Sequence, residues 1–202
     1  DISTWAADGS TQPIKRLNAS LPLAISLDSH DNLYVVESAK VSVFDDISTW
    51  LSDGSTQPSK SLVGNSTGLD DSSSVELDDS GNMYVSNSGN NSITYYAAGW
   101  SGGDTAPTKT LIGNNTGLDA PGSIAFDARG KMFVSGGSFF SSPIGSSKVL
   151  AFAANWTSGN TAPMKTLVGN RTKIENASSL LFDSSGIMFA TLISPGAVAQ
   201  YA

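Results

Sequence analysis

The sequence predicts an all-β protein, a β-propeller built from four-stranded antiparallel blades. A unit of about 50 residues recurs four times, each copy contains several short apolar runs, and turn-forming residues separate those runs. One tryptophan marks each copy: Trp5, Trp50, Trp100 and Trp156. We place the four repeats at about 1–44, 45–96, 97–152 and 153–202, all within one domain.

A run with the pattern Pro-x-Lys-x-Leu follows each tryptophan. It begins at Pro13, Pro58, Pro107 and Pro163. The alternation predicts a strand whose lysine faces solvent and whose leucine faces the core. Proline at its start suits an outer strand, which lacks a partner on one side.

The rest of each unit predicts a connector and three more strands. The connector is Gly-Asn-x-Thr or a close variant, and the inner strand after it ends at Asp28, Asp78, Asp127 or Asp183. Each aspartate starts a four-residue turn, so we expect its carboxylate to accept hydrogen bonds from nearby backbone N–H groups. Apolar second and third strands complete the unit, as at 131–135 and 148–152.

Residues 77–96 and 126–137, with the connector between them, resemble the NHL-repeat type of β-propeller. The resemblance covers essentially the whole chain and implies the propeller fold. It implies little about activity, because the residues that carry it belong to the scaffold. Propellers of this family often have six blades, whereas this chain carries four repeats.

The strands at the two ends are complementary halves of one blade. The chain begins with an outer strand at 14–17 and ends after a third strand at 197–201. We expect the terminal blade to be shared between the N-terminal outer strand and the three C-terminal strands, because an unpaired edge promotes aggregation. Alternatively, the N-terminal strand completes the last blade of another copy, giving a dimer or a head-to-tail filament. A longer natural chain is a third interpretation.

Composition limits the partners and the chemistry. The net charge is −7 with no cluster of Lys and Arg, so we expect no nucleic-acid partner. No apolar run approaches about 18 residues, so no membrane insertion is expected. The chain has no cysteine and one histidine, His30, which lies in a turn. We therefore expect no cofactor, no metal site and no Ser-His-Asp triad.

The turn aspartates carry one alternative, a metal-dependent lactonase or hydrolase. Gluconolactonase-like propellers hold a divalent metal with Glu, Asn and Asp. No position-by-position match to that set is found, and one aspartate per blade fits turn formation better than one convergent site. We expect the protein not to be an enzyme.

The tryptophans carry a second alternative, a lectin-like propeller that binds carbohydrate. One indole per blade, from Trp5, Trp50, Trp100 and Trp156, can stack on a sugar ring. Equivalent positions in every repeat favour packing between neighbouring blades instead.

Seven Asn-x-Ser/Thr sequons predict a glycoprotein located outside the cell or at its surface. They are Asn18, Asn65, Asn90, Asn114, Asn155, Asn170 and Asn176. An asparagine-rich turn sequence explains several of them equally well.

One insertion interrupts the third repeat, at 136–147. It holds the apolar residues Phe139, Phe140, Pro143 and Ile144, which are candidates for a contact site. Together these features favour a non-enzymatic extracellular scaffold or interaction module. Its partner is expected to be a protein, a glycan or a second copy of itself.

Overall fold

A computed structural model describes residues 12–137, 147–169, 171–174, 176–193 and 196–202. Within these ranges, fifteen strands form four antiparallel sheets, which are successive blades of a β-propeller. The all-β propeller prediction is confirmed. The first strands of all four blades line one central cavity of about 450 Å³.

Each blade is a meander in which strands that follow one another in sequence pair as neighbours. Blade 1 contains β1 (Ala24–Leu27), β2 (Leu33–Glu37), β3 (Lys40–Phe44) and β4 (Lys60–Leu62). Blade 2 contains β5 (Ser72–Leu77), β6 (Met83–Asn87), β7 (Ser92–Tyr96) and β8 (Lys109–Leu111). Blade 3 contains β9 (Ile124–Phe126), β10 (Met132–Gly136), β11 (Lys148–Phe152) and β12 (Lys165–Val168). Blade 4 contains β13 (Ala177–Phe182), β14 (Met188–Leu192) and β15 (Ala197–Tyr201).

The turn between the first and second strands is held by its aspartate, as predicted. Asp78 Oδ1 accepts hydrogen bonds from the backbone N–H of Ser80 and of Asn82, both at 3.0 Å. The turns that begin at Asp28, Asp127 and Asp183 repeat this pair of bonds. A carboxylate that accepts local N–H bonds offers the backbone a closed turn, which fixes the hairpin.

The core is divided into three apolar clusters, one between each pair of successive blades. The alternation of side chains along each strand sends successive residues to opposite faces of a sheet. Thus Val75 on β5 faces blade 1, whereas Ile93 on β7 faces blade 3, and both are fully buried. Every internal sheet therefore buries both of its faces against neighbours.

A tryptophan closes the outer part of two of these interfaces. Trp100 follows β7 of blade 2 and is buried in the cluster between blades 1 and 2, and Trp156 occupies the equivalent place between blades 2 and 3. Lys60 Nζ lies 4.1 Å from the centre of the Trp100 ring, a cation–π contact with the outer strand of the preceding blade. These residues join each blade to the next.

Backbone hydrogen bonds add a link at the same place. Gly103 N–H donates to the Ser61 carbonyl at 2.7 Å, and Val63 N–H donates to the Gly103 carbonyl at 3.0 Å. Gly159 makes the equivalent parallel bridge to β8. Gly103 has a φ of 64°, a left-handed conformation that glycine adopts at little cost.

The ends of the chain differ from the expectation. Blade 4 has three strands among the described residues, and the segment 14–17 does not pair with β15. The segment lies on blade 1 instead, where Lys15 Nζ donates to the Ser48 carbonyl at 2.6 Å and Ser20 N–H donates to Glu37 Oε1 at 2.7 Å. Lys60, on the outer strand of blade 1, makes a similar contact with the loop of the next blade, where its Nζ donates to the Trp100 carbonyl. By this analogy, the segment occupies the position of the outer strand of a blade that would precede blade 1.

No helix in the described part of the chain is long and apolar enough to cross a membrane.

The burial of each tryptophan predicts how much its replacement by alanine lowers the free energy of unfolding. We expect Trp156→Ala to lower the free energy of unfolding by about 3–5 kcal/mol, because it opens a cavity in a closed interface. Trp50→Ala, the matched control from the same repeat position, should cost clearly less because Trp50 is only half-buried. Urea denaturation at low protein concentration measures both, and equal losses would contradict the assignment.

Candidate interaction surfaces

The first candidate surface is the open face of blade 1, the face that an internal blade turns toward its predecessor. Ile25 and Leu27 on β1 are 65% and 50% exposed. The residues equivalent to Ile25 in the other blades are all buried: Val75, Ile124 and Leu180. The face of blade 1 therefore has the composition of an interface and lacks a neighbouring blade among the described residues.

The second candidate surface is the opposite face of blade 4, the face that an internal blade turns toward its successor. Leu181 on β13 and Val198 on β15 are 56% and 69% exposed. The residues equivalent to Val198 are buried in the other three blades: Val41, Ile93 and Val149. Exposed apolar patches of this kind mark interaction sites.

A cavity of about 560 Å³ lies between blades 3 and 4, on the outer side of their cluster. Six of its lining residues matter here: Phe133, Ala151, Lys165, Leu167, Phe182 and Tyr201. We call this cavity the outer socket. It lies at the position that Trp100 and Trp156 fill at the other two interfaces.

Glu76 is the one carboxylate on the four strands that line the central cavity. It lies on β5, lines the central cavity and also borders a neighbouring cavity of about 540 Å³ that Asp78, Asp127 and Asp183 line. Burial raises the pKa of Glu76 to about 7, and its hydrogen bond with Ser26 offsets part of that increase.

The carboxylates that line these two cavities do not form a metal site among the described residues. No group of three or more His, Cys, Asp or Glu side chains there has the geometry to hold an ion. The turn aspartates that line it accept the backbone bonds described above. Their place in the fold is accounted for by the turns alone.

The four tryptophans lie in different environments. Trp100 and Trp156 are buried between blades, so their indole faces are covered by protein and do not offer a sugar-stacking surface. Trp50 is half-buried, its ring centre lies 5.8 Å from that of Phe44, and its Nε1 donates to the Asp45 carbonyl. Trp5 lies outside the described residues.

The sequon asparagines fall into two groups by exposure. Asn18, Asn65, Asn114 and Asn155 are exposed. Asn90 and Asn176 are half-buried, and their side-chain amides bond within the protein, to Gly68 and Ser92 for Asn90 and to Ser147 for Asn176. Asn170 lies outside the described residues.

The sequon threonines shape the connector itself. Thr67 Oγ1 donates to the Gly64 carbonyl at 2.8 Å and accepts from Leu69 N–H at 3.3 Å. Thr116 makes the same pair of bonds and is buried. A structural role for Gly-Asn-x-Thr is therefore present whether or not a glycan is attached.

Two further sequence candidates are the insertion and His30. Phe139, Phe140, Pro143 and Ile144 of the insertion lie outside the described residues. His30 is exposed in its turn, where its N–H donates to Asp28 Oδ1.

The comparisons with known proteins show the propeller fold. No protein-family model matches the chain, and no curated protein does. Among solved structures, it is similar to streptogramin B lyase, with 13% identity, a TM-score of 0.58 and coverage of 90% of this chain and 54% of that one. XC5397, a gluconolactonase from Xanthomonas campestris, has 15% identity, a TM-score of 0.58 and coverage of 87% and 57%. The β-propeller domain of Cps50 (Swd1) from Myceliophteria thermophila has 12% identity, a TM-score of 0.54 and coverage of 89% and 52%.

The chain spans just over half the length of these three propellers. Their functions differ, since they include two enzymes and a propeller domain, so the likeness identifies a fold and not an activity. The assignment to the NHL type of propeller stays a prediction.

The two open faces were not singled out by sequence reasoning. Ile25 and Val198 occupy the same repeat positions as buried residues, so nothing in their local sequence distinguishes them. The signal that could have found them is the blade order, which leaves the first and last blades with one neighbour each.

Glu76 predicts a pH dependence of stability. The folded chain binds the Glu76 proton more tightly than the unfolded chain, whose pKa is the ordinary 4.5. The contribution of Glu76 to the free energy of unfolding should therefore be fully present below about pH 4.5 and should be lost, by at most about 3 kcal/mol, as pH rises from there through 7. Glu76→Gln removes the ionisation, so urea melts at pH 5 and pH 8 should differ less for this variant than for wild type.

The exposed neighbour offers the matched control for that measurement. Asp79→Asn removes a carboxylate next to the same turn but on the surface. It should keep the wild-type difference between pH 5 and pH 8. A wild-type difference that survives Glu76→Gln would show that another group causes it.

Proposed function

We propose that this protein is a non-enzymatic interaction module that assembles with further copies of itself through its terminal blades. The observation that carries the proposal is the pair of open faces. Blade 4 presents the successor-facing half of an inter-blade interface, and blade 1 presents the predecessor-facing half. Two copies in head-to-tail order bring these halves together.

The apolar side chains of the two faces support this contact. The exposed side chains are branched aliphatic residues, which are the kind that fill the three internal interfaces. Burying them removes apolar surface from water at about 25 cal/mol per Å². A contact between two different faces is heterologous, so it produces a ring where the rotation closes and a filament where it does not.

The N-terminal segment adds a second element to the same contact. Residues 14–17 form no strand in the structure and lie on blade 1, and β15 of blade 4 has a free edge among the described residues. In a head-to-tail pair, blade 4 of one copy and this segment of the next make one four-stranded blade. Strand addition at an open edge supplies backbone hydrogen bonds along with apolar contact.

The proposal of a non-enzymatic role rests on what the candidate side chains already do. The turn aspartates accept hydrogen bonds from their own turns, and Trp100 and Trp156 pack between blades. A propeller whose candidate side chains are all used to hold the fold together acts by presenting its faces and loops to a binding partner. A protein or glycan partner at the rim is compatible with this role.

The proposal of an extracellular or cell-surface location rests on the sequons. Four of the seven asparagines are exposed on connectors, where an attached glycan meets solvent.

Substitution of the two faces tests self-assembly. We expect wild type to sediment as a multiple of its 20.9 kDa mass. Ile25→Lys and Val198→Lys should each weaken association at least about tenfold, because each buries an unpaired charge in the contact. Ile112→Lys, on an exposed residue after β8 and away from both faces, is the matched control and should leave the mass unchanged.

Mixing the two variants separates head-to-tail from symmetric contact. The Ile25→Lys chain keeps a good blade 4 face, and the Val198→Lys chain keeps a good blade 1 face. Their mixture should form a dimer and nothing larger, measured by native mass spectrometry. A monomeric wild type with intact circular dichroism would refute the proposed assembly.

The sequons predict a pattern of glycosylation. On expression in a eukaryotic secretory system, we expect glycans at Asn65 and Asn114, and little at Asn90, whose amide is held within the protein. Glycopeptide mass spectrometry with Asn→Gln substitutions measures this. A secreted, folded chain without glycans at Asn65 and Asn114 would remove the support for an extracellular location.

A further inference from the structure

We propose that the outer socket between blades 3 and 4 binds the indole of Trp5 from a second copy of this chain. The inference rests on the proposed self-assembly and names the residue that anchors it. It is carried by the outer socket, by the repeat pattern of the tryptophans and by the position of the N-terminal segment.

The two closed interfaces define what such a socket holds. Between blades 2 and 3, Trp156 lies 6.4 Å from Tyr95 in an edge-to-face contact, and Lys109 Nζ lies 5.7 Å from the Trp156 ring centre. Tyr84, Leu111, Phe126 and Phe152 belong to the same cluster as Trp156. Between blades 1 and 2, Lys60 lies over the Trp100 ring, and the cluster that contains Trp100 also includes Tyr34, Val43, Leu62, Leu77 and Tyr96.

The outer socket repeats this set of side chains. By strand position, Phe133 corresponds to Tyr84, and Lys165 corresponds to Lys109. Leu167, Phe182, Tyr201 and Ala151 take the places of Leu111, Phe126, Phe152 and Tyr95. The cavity of about 560 Å³ lies where the indole ring lies in the other two interfaces. Its lining is mostly apolar and aromatic and includes two lysines, Lys131 and Lys165, which suits an indole.

The outer strand next to the socket is also open. Leu62 and Leu111 are fully buried beneath the loop of the following blade, whereas Leu167 on β12 is half-buried. The loops that cover Leu62 and Leu111 bring a tryptophan and, three residues later, the glycine of the parallel bridge. A segment that fills the socket is therefore expected to carry both residues.

Residues 1–17 have this pattern in the right order. Trp5 is followed by Gly9, one residue later than in the two covering loops, and by the outer-strand sequence Pro13 to Leu17. Residues 1–13 match 46–58 at 11 of 13 positions.

The contacts of the N-terminal segment favour a second copy over the same chain. Lys15 and Ser20 hold this segment on blade 1 of their own copy. Head-to-tail contact places that blade 1 next to blade 4 of the neighbour. The residues before Pro13 then enter the neighbour's socket without leaving their own blade.

Disulfide trapping tests this contact, and the absence of native cysteine makes it specific. A Cβ at Gly102 would lie 3.4 Å from Lys60 Cβ, a separation close to that of a disulfide. Counted back from the outer-strand proline, Asp8 corresponds to Gly102, and Lys165 corresponds to Lys60. The double variant Asp8→Cys with Lys165→Cys should therefore form covalent multimers under mild oxidation.

Asp8→Cys with Lys60→Cys is the matched control. The strand that carries Lys60 is covered by Gly102 and Gly103 of its own copy, so no crosslink is expected. Trp5→Ala in the Asp8→Cys, Lys165→Cys background should lower the crosslinking rate and weaken association at least about tenfold, as a buried interface tryptophan does. Trp5→Phe should retain part of both.

The outcomes separate this inference from the proposed assembly. Covalent dimers or longer ladders support it. Assembly by native mass without a crosslink, or without any effect of Trp5→Ala, overturns the Trp5 contact and leaves the assembly in place. A crosslink confined to monomers shows that the segment closes on its own chain and also overturns it. A monomer with no crosslink overturns both.

Discussion

The constraint on which this structure depends is that each sheet has two apolar faces, and each face needs a neighbouring sheet to cover it. A single blade of short strands cannot bury both faces, so stability comes from the interfaces between blades. The residues that make those interfaces are spread through every strand, and a tryptophan between the third and fourth strands completes two of the three, Trp100 at one and Trp156 at the other. Its burial couples two blades, because the ring lies on one blade and its lysine on the other. The parallel backbone bridge next to it holds the loop in place.

The same constraint explains why the ends of the array differ from its middle. Blades 2 and 3 have two neighbours, and their faces are buried. Blades 1 and 4 repeat the same apolar positions with one neighbour each, so Ile25 and Val198 meet solvent. Blade 4 shows the effect at the level of strands, since it has three strands and β15 has a free edge among the described residues. Repeat proteins usually cover such ends with polar residues, and this chain keeps them apolar in the part described.

Sequence reasoning predicted the repeated features well and the boundary features poorly. The strand patterns, the aspartate turns and the tryptophans recur four times in the sequence, so each copy supports the interpretation of the others. The position of residues 14–17 was expected to be on blade 4, because pairing rules favour a closed blade. The structure places them on blade 1, where Lys15 and Glu37 make specific bonds that no pattern reveals. The raised pKa of Glu76 and the outer socket depend on three-dimensional packing between distant segments. A linear pattern does not encode them.

The shape of the array bears on whether head-to-tail contact closes. A filament and a ring use the same two faces and differ only in the rotation from one blade to the next. This chain superposes over most of its length on propellers of which it covers 52–57%. Coverage of about half of each of those propellers shows a shared arrangement of successive blades. In the proposed head-to-tail assembly, a closed ring would bury the open faces of every copy, whereas a filament of any length would leave one face exposed at each end.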